Sequence, residues 1–208
     1  MSATRGDVRH PNVDGVGILL PSSWWTIDLR DSASRRRSVA KLVEQQVGRD
    51  DAHASVRAHL RARLMTAADD TAAAGGRLMA VSLMRAGDVS VPATVAVYRL
   101  PSVAPAGDDD AVTELDTLLR ATAGPDDHLE RADGPGGPVL RRVGRRMGPA
   151  DLDTEHLPTL LVDYWLDPHD GQGLIYVVFS SPLVDARDAL LELFDVIVAS
   201  VGSADGAS

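Results

Sequence analysis

The stretch between Thr159 and Val201 leaves this chain the fewest folding choices. Residues 159–166 alternate, with Leu160, Val162, Tyr164 and Leu166 on one side and Asp163 and Trp165 on the other. That is the period of two a strand imposes on its side chains. Residues 167–173, Asp-Pro-His-Asp-Gly-Gln-Gly, are dense in turn formers. Residues 174–179 are apolar without a break, as expected of a strand covered on both faces. Ser181 then offers a helix N-cap and Pro182 a first helical residue. From there Leu183, Ala186, Leu190, Leu193, Phe194, Ile197 and Val201 form one helical stripe, while Arg187, Asp188, Glu192 and Asp195 fall on the other side. Gly202 stops the helix. Strand, turn, strand and amphipathic helix together imply an antiparallel sheet with a helix packed on it.

The rest of the chain repeats that theme. Residues 15–20 and 24–29 read as a hairpin turning at Pro21-Ser22-Ser23. Ser32 or Ser34 is placed to cap a helix reaching Val47, with Val39, Leu42, Val43 and Val47 inward. A second helix spans residues 52–74, with Val56, Leu60, Leu64 and Ala67 inward, and Gly75-Gly76 ends it. Residues 77–86 and 89–99 read as a hairpin across Gly87-Asp88. After a Pro/Ala/Asp loop, Asp109 or Asp110 caps a third helix over residues 111–122. A charged hairpin, residues 128–132 and 139–147, turns at residues 133–137, and a connector leads to Pro158. The expected architecture is α+β, a mostly antiparallel sheet sandwiched by helices. It forms one domain over residues 15–201, between a mobile arm (1–14) and a short tail (202–208).

Composition narrows function mainly by exclusion. At 208 residues the chain is long enough for one good-sized core. Aromatic residues make up 4%, so that core must be mostly aliphatic. The net charge of −9 opposes binding to nucleic acid or to anionic membranes. There is no cysteine, which excludes disulfides, thiolate metal sites, a cysteine nucleophile and a lipid-bearing cysteine. The first apolar run, residues 16–20, is too short to span a bilayer. These features lead to the expectation of a cytoplasmic bacterial protein without membrane insertion.

No motif for catalysis, metal or cofactor stands out. The six histidines lack ligand spacing. Asp108-Asp109-Asp110 suits a helix start better than a cation. Residues 167–171 suit a turn better than a calcium loop. There is no Gly-x-Ser-x-Gly elbow. Two groups of candidates carry some chemistry. Arg141, Arg142, Arg145 and Arg146 form one basic run, read either as an anion site centred on Arg141 and Arg145 or as charges guarding a sheet edge. Trp24 shares its strand face with Thr26 and Asp28, and Trp165 shares its face with Asp163. Tryptophan on a polar face suits a partner-binding surface, so Trp24, Trp165 and Asp163 are candidates for one. The alternative is that both rings pack beneath a second helix layer.

The chain also resembles a known family. Leu20-Pro21-Ser22-Ser23-Trp24-Trp25 is similar to the strand, Pro-x-x-Trp turn and strand that open the PsbP/LpqN-like α/β/α sandwiches. The strand, break and long helix from Phe179-Ser180-Ser181-Pro182 to Val201 resemble their ending. The resemblance implies binding, assembly or transport assistance and no shared catalytic residues; the lipidated cysteine of LpqN-type members is absent. The leading expectation is therefore a non-enzymatic interaction or accessory protein of a bacterial assembly or secretion process, with an unknown protein partner. The alternative is a small-molecule or lipid-binding domain, since a sandwich of small aliphatic residues can hold a cavity.

Overall fold

The computed structural model describes residues 8–9, 11–13, 15–101, 111–147 and 157–203. Short pairings open the chain: β1 (Val8–Arg9), β2 (Asn12–Val13), β3 (Val16–Gly17) and β4 (Leu20–Pro21). β5 (Trp24–Ile27) leads to α1 (Ser32–Val47), a 3-10 turn at Asp51–His53 and α2 (Ala54–Ala73). β6 (Gly76–Ser82), a small tip of β7 (Arg85–Ala86) and β8 (Val89–Ser90), and β9 (Thr94–Leu100) follow. Then come α3 (Ala111–Thr122), β10 (His128–Gly134), β11 (Gly137–Met147), β12 (Pro158–Leu166) and β13 (Leu174–Ser181). A 3-10 turn at Val184–Ala186, α4 (Arg187–Ala199) and β14 (Gly202–Ser203) complete it. One seven-stranded sheet organises the fold, in the order β10-β11-β12-β13-β9-β6-β5. Every neighbouring pair in it is antiparallel.

Both faces of that sheet are covered, which is why β13 is apolar from Leu174 to Phe179. On one face Trp24, Val95, Val162, Tyr164, Val177 and Phe179 pack against Leu190, Phe194, Ile197 and Val198 of α4. Phe179 is the centre: its ring stacks on Phe194 at 4.1 Å and meets Trp24 and Tyr164 edge-on at 6.2 and 5.8 Å. The other face is shared. α1 and α2 bury Ile27 and Met79 at one end, through Val39, Leu42, Val43 and Ala68. α3 closes over Leu140, Trp165 and Leu174 at the other end, through Val112. The fold is thus α+β, an antiparallel sheet with helices on both sides.

Several elements differ from expectation in detail. Strands 16–17 and 24–27 do not pair as a hairpin. β3 pairs with β2 and β14, β4 pairs with β1, and β5 joins the main sheet beside β6. Pro21 contributes no N–H to a ladder, and burial of Leu20 and Trp24 in the same core turns the chain away from itself. Within the stretch expected to be a mobile arm, Val8–Arg9 and Asn12–Val13 are paired strands; residues 1–7, 10 and 14 lie outside the described residues. Gly202 and Ser203 pair with Gly17 and Val16, while the rest of the expected tail lies outside as well. So do the Asp108-Asp109-Asp110 cluster with its proposed cap and most of the connector before Pro158.

The N-cap of α1 is Asp31, which accepts from the Ser34 amide at 2.8 Å and the Ser34 hydroxyl at 2.8 Å. A carboxylate one residue earlier outcompetes the serines because it accepts from both the amide and the hydroxyl of Ser34. Ser181 caps only the entry to the 3-10 turn, accepting from the Leu183 amide at 3.2 Å, and α4 begins at Arg187. In the β12–β13 turn, Asp167 accepts from the His169 amide and Asp170 from the Gln172 amide, so both carboxylates build the turn itself.

Candidate functional site

The register of three strands builds a polar row on the face covered by α4. Gly134 pairs with Gly137 across a two-residue turn, and counting back from it sets Glu130 opposite Arg141. The next strand sets Arg141 opposite Tyr164. These side chains therefore stand side by side, pointing the same way out of the sheet. Above them α4 places Asp195. Arg141 donates from Nη1 to Asp195 Oδ2 at 2.6 Å and from Nη2 to Glu130 Oε2. Tyr164 Oη donates to Asp195 Oδ1 at 2.8 Å. His128 Nε2 lies 2.9 Å from Glu130 Oε1 and extends the chain of contacts to the sheet edge.

The electrostatics follow from that geometry. Burial pushes the Tyr164 hydroxyl well above the ordinary phenol range, and its hydrogen bond to Asp195 adds to the shift. It is a fixed donor. Burial works against charge on Arg141, but Glu130 and Asp195 more than offset it and raise the guanidinium further. The Arg141 hydrogen bond holds Glu130 below the usual carboxylate range. The network floors a cleft of about 450 Å³ between the β10–β11 hairpin and the C-terminal half of α4. Val139, Pro135, Val198 and Ala199 form its walls. Among the described residues no group of three or more His, Asp or Glu is gathered as a metal would need, and no helix is long and apolar enough to cross a membrane.

The residues singled out from the sequence are scattered by the fold. Trp24 is 0% exposed and lies in the core beneath α4. Trp165 is 5% exposed and lies on the opposite face beneath α3. Neither ring offers a partner surface, and the two do not meet; a sheet covered on both faces buries the second face of each strand as well as the first. Asp163, 1% exposed, accepts from Tyr176 Oη at 2.6 Å and from Arg142 Nε and Nη2 at 2.8 and 2.7 Å. Trp165 is sandwiched beside this group, stacked on Tyr176 at 5.2 Å with the Arg142 guanidinium 5.4 Å from its ring.

The basic run likewise divides by strand alternation. Arg141 is held by two carboxylates, whose charges outweigh its own and oppose an anion there. Arg142 is committed to Asp163, and Arg146 to Asp127. Arg145 is exposed beside a shallower cleft that includes Asp126 and Asp185. Arg141 and Arg145 therefore do not form a common anion site.

Glu130, Tyr164 and Asp195 were the residues that sequence reading did not bring together. Asp195 was expected on the outward side of its helix, yet it bends over the helix edge to the tyrosine. A signal existed: a tyrosine inside an apolar stripe requires an acceptor for its hydroxyl. No family model, curated protein or solved structure matches this chain. The resemblance to PsbP/LpqN-like proteins rests on the quoted residues alone.

Proposed function

We propose that this protein is a non-catalytic binding domain whose cleft beside α4 takes a small organic ligand. The cleft itself carries the reading. Its volume of about 450 Å³ lies in the range of small-molecule sites, which pair apolar walls with a few fixed polar groups. Here the walls are aliphatic and the polar groups are Glu130, Arg141, Tyr164 and Asp195. Docking of a protein partner through Trp24 and Trp165 loses its support because both rings are interior. Acid, base or nucleophilic chemistry is not favoured either. The Tyr164 hydroxyl is held protonated, and each carboxylate of the network already accepts from Arg141. An accessory role in the cell is compatible with such a domain, with the ligand acting as the signal or cargo.

The test is an amide chemical-shift screen of the full chain against a fragment library. Fragments that bind should move resonances at residues 130–139 and 195–199 in a saturable way. Ala199→Phe, placed at the exposed end of α4 on the cleft wall, should abolish those shifts while leaving the melting temperature nearly unchanged. Shifts that persist in Ala199→Phe, or a screen whose hits all map elsewhere, would refute the reading.

A further inference from the structure

We infer that the cleft selects a small organic cation, an ammonium group carried on an apolar body of a few carbons. This rests on the reading of the cleft as a ligand site. Three observations carry it, and the first is the charge at the floor. Glu130 and Asp195 face a single guanidinium, Arg141, leaving one net negative charge. Arg131 does not redress the balance: its Nη1 donates to Thr113 Oγ1 at 2.7 Å, on α3 at the opposite face of the sheet.

The second observation is unused acceptor capacity in the right place. A carboxylate offers about four lone-pair sites. Asp195 spends one oxygen on Tyr164 and the other on Arg141; Glu130 spends one on Arg141 and one on His128. The two side chains remain 45% and 44% exposed and line the cleft, so lone pairs are left for a donor that enters it. The donor side is less open: the Tyr164 hydroxyl is buried and bonded to Asp195, and Arg141, 22% exposed, turns two of its five N–H groups to the carboxylates. A ligand that only accepts hydrogen bonds meets two negative groups around the single guanidinium.

The third observation is shape. Val139, Pro135 and Val198 present hydrocarbon beside the charged floor. An alkyl or aryl body would bury against them while its ammonium meets the cleft-facing side of Glu130 or Asp195, the side Arg141 does not occupy. The chain's net charge of −9 adds a long-range field of the same sign.

The decisive experiment uses one body with three heads: hexylammonium, hexanol and hexanoate, each titrated into the intact chain at neutral pH and followed by amide shifts at Gly134 and Ala199. Hexylammonium should bind more tightly than hexanol by up to about fivefold, the advantage of one partly exposed ion pair, and hexanoate should not saturate. Glu130→Gln and Asp195→Asn should each remove most of that advantage, and added salt should do the same. Glu130→Gln keeps an acceptor for Arg141 on an exposed edge strand, so it reports even where Asp195→Asn unfolds. Equal or tighter binding of hexanol or hexanoate at the same amides overturns the cation and leaves the cleft standing. No shift at those amides with any of the three overturns both.

Discussion

The two faces of the sheet carry the same three groups, with opposite consequences. Beneath α3, Tyr176 and Arg142 both donate to Asp163. Beneath α4, Tyr164 and Arg141 both donate to Asp195. The chemistry is matched oxygen for oxygen: the tyrosine takes Oδ1 and the arginine takes Oδ2 in each. What differs is the source of the carboxylate. Asp163 comes from a central strand and is 1% exposed, sealed by the stacked Trp165 and Tyr176 rings. Asp195 reaches over from a helix and is 45% exposed, beside a cleft. A buried ion pair is sensitive to loss of one member because the other is stranded without water. A half-exposed pair is screened and exchangeable. The comparison teaches that a Tyr–Asp–Arg group is a structural rivet or a recognition floor according to solvent access, not composition.

That contrast can be broken or sharpened by substitution. The largest effect should come from Trp24, which shares the cleft's face but lies in its sealed part. Trp24→Ala should lower unfolding free energy by about 4 kcal/mol, read from urea denaturation. Trp24→Phe should do much less damage, since Trp24 Nε1 has no hydrogen-bond partner to lose. A near-wild-type Trp24→Ala would return that residue to the list of surface candidates.

Next comes the matched pair of carboxylates. Asp163→Ala should destabilise by about 3 kcal/mol or more, because it removes a sealed carboxylate on which both the Tyr176 hydroxyl and the Arg142 guanidinium depend. Asp195→Ala should cost about 1 kcal/mol, because Asp195 is itself half-exposed and water from the cleft can take its place. Equal losses in urea denaturation would show that the two groups are energetically alike and remove the basis for treating one of them as a site.

The smallest effect is in pH dependence. Arg141 holds the folded-state pKa of Glu130 below its ordinary value. Its contribution is therefore complete above the unfolded value, roughly pH 4.3, and is lost as pH falls through the depressed folded value. The stability difference between wild type and Glu130→Gln should be at most about 1 kcal/mol at neutral pH and should shrink on acidification below about pH 4. A difference that grows instead would mean that Arg141 does not stabilise the charged form.

Much of the fold could be read from the residues. The alternation in 159–166, the unbroken apolar run that follows and the stripe through Leu190, Phe194 and Ile197 became β12, β13 and α4, with Leu160, Val162, Tyr164, Phe194 and Ile197 buried as expected and the Asp163 and Trp165 face buried as well. The glycines at 134 and 137 fixed the β10–β11 register, which on its own places Glu130 against Arg141. The cleft could not be read in the same way. Asp195 lies 31 positions from Tyr164 in sequence, and its helical phase alone pointed it outward.

By itself, the sequence determined what is local and periodic: which segments are strands, which are helices, and which side chains share a face. Those follow from backbone geometry and apolar spacing, which need no distant partner. Tertiary structure decided what lies between elements. It put a helix on each side of the sheet and so turned Trp24 and Trp165 from surface candidates into core. It left one Asp–Tyr–Arg group sealed and the other open, because α3 closes over its face of the sheet while the C-terminal half of α4 leaves room beside the edge hairpin. Solvent access depends on how elements are covered, and covering is a property of the assembled layers rather than of any stretch of chain.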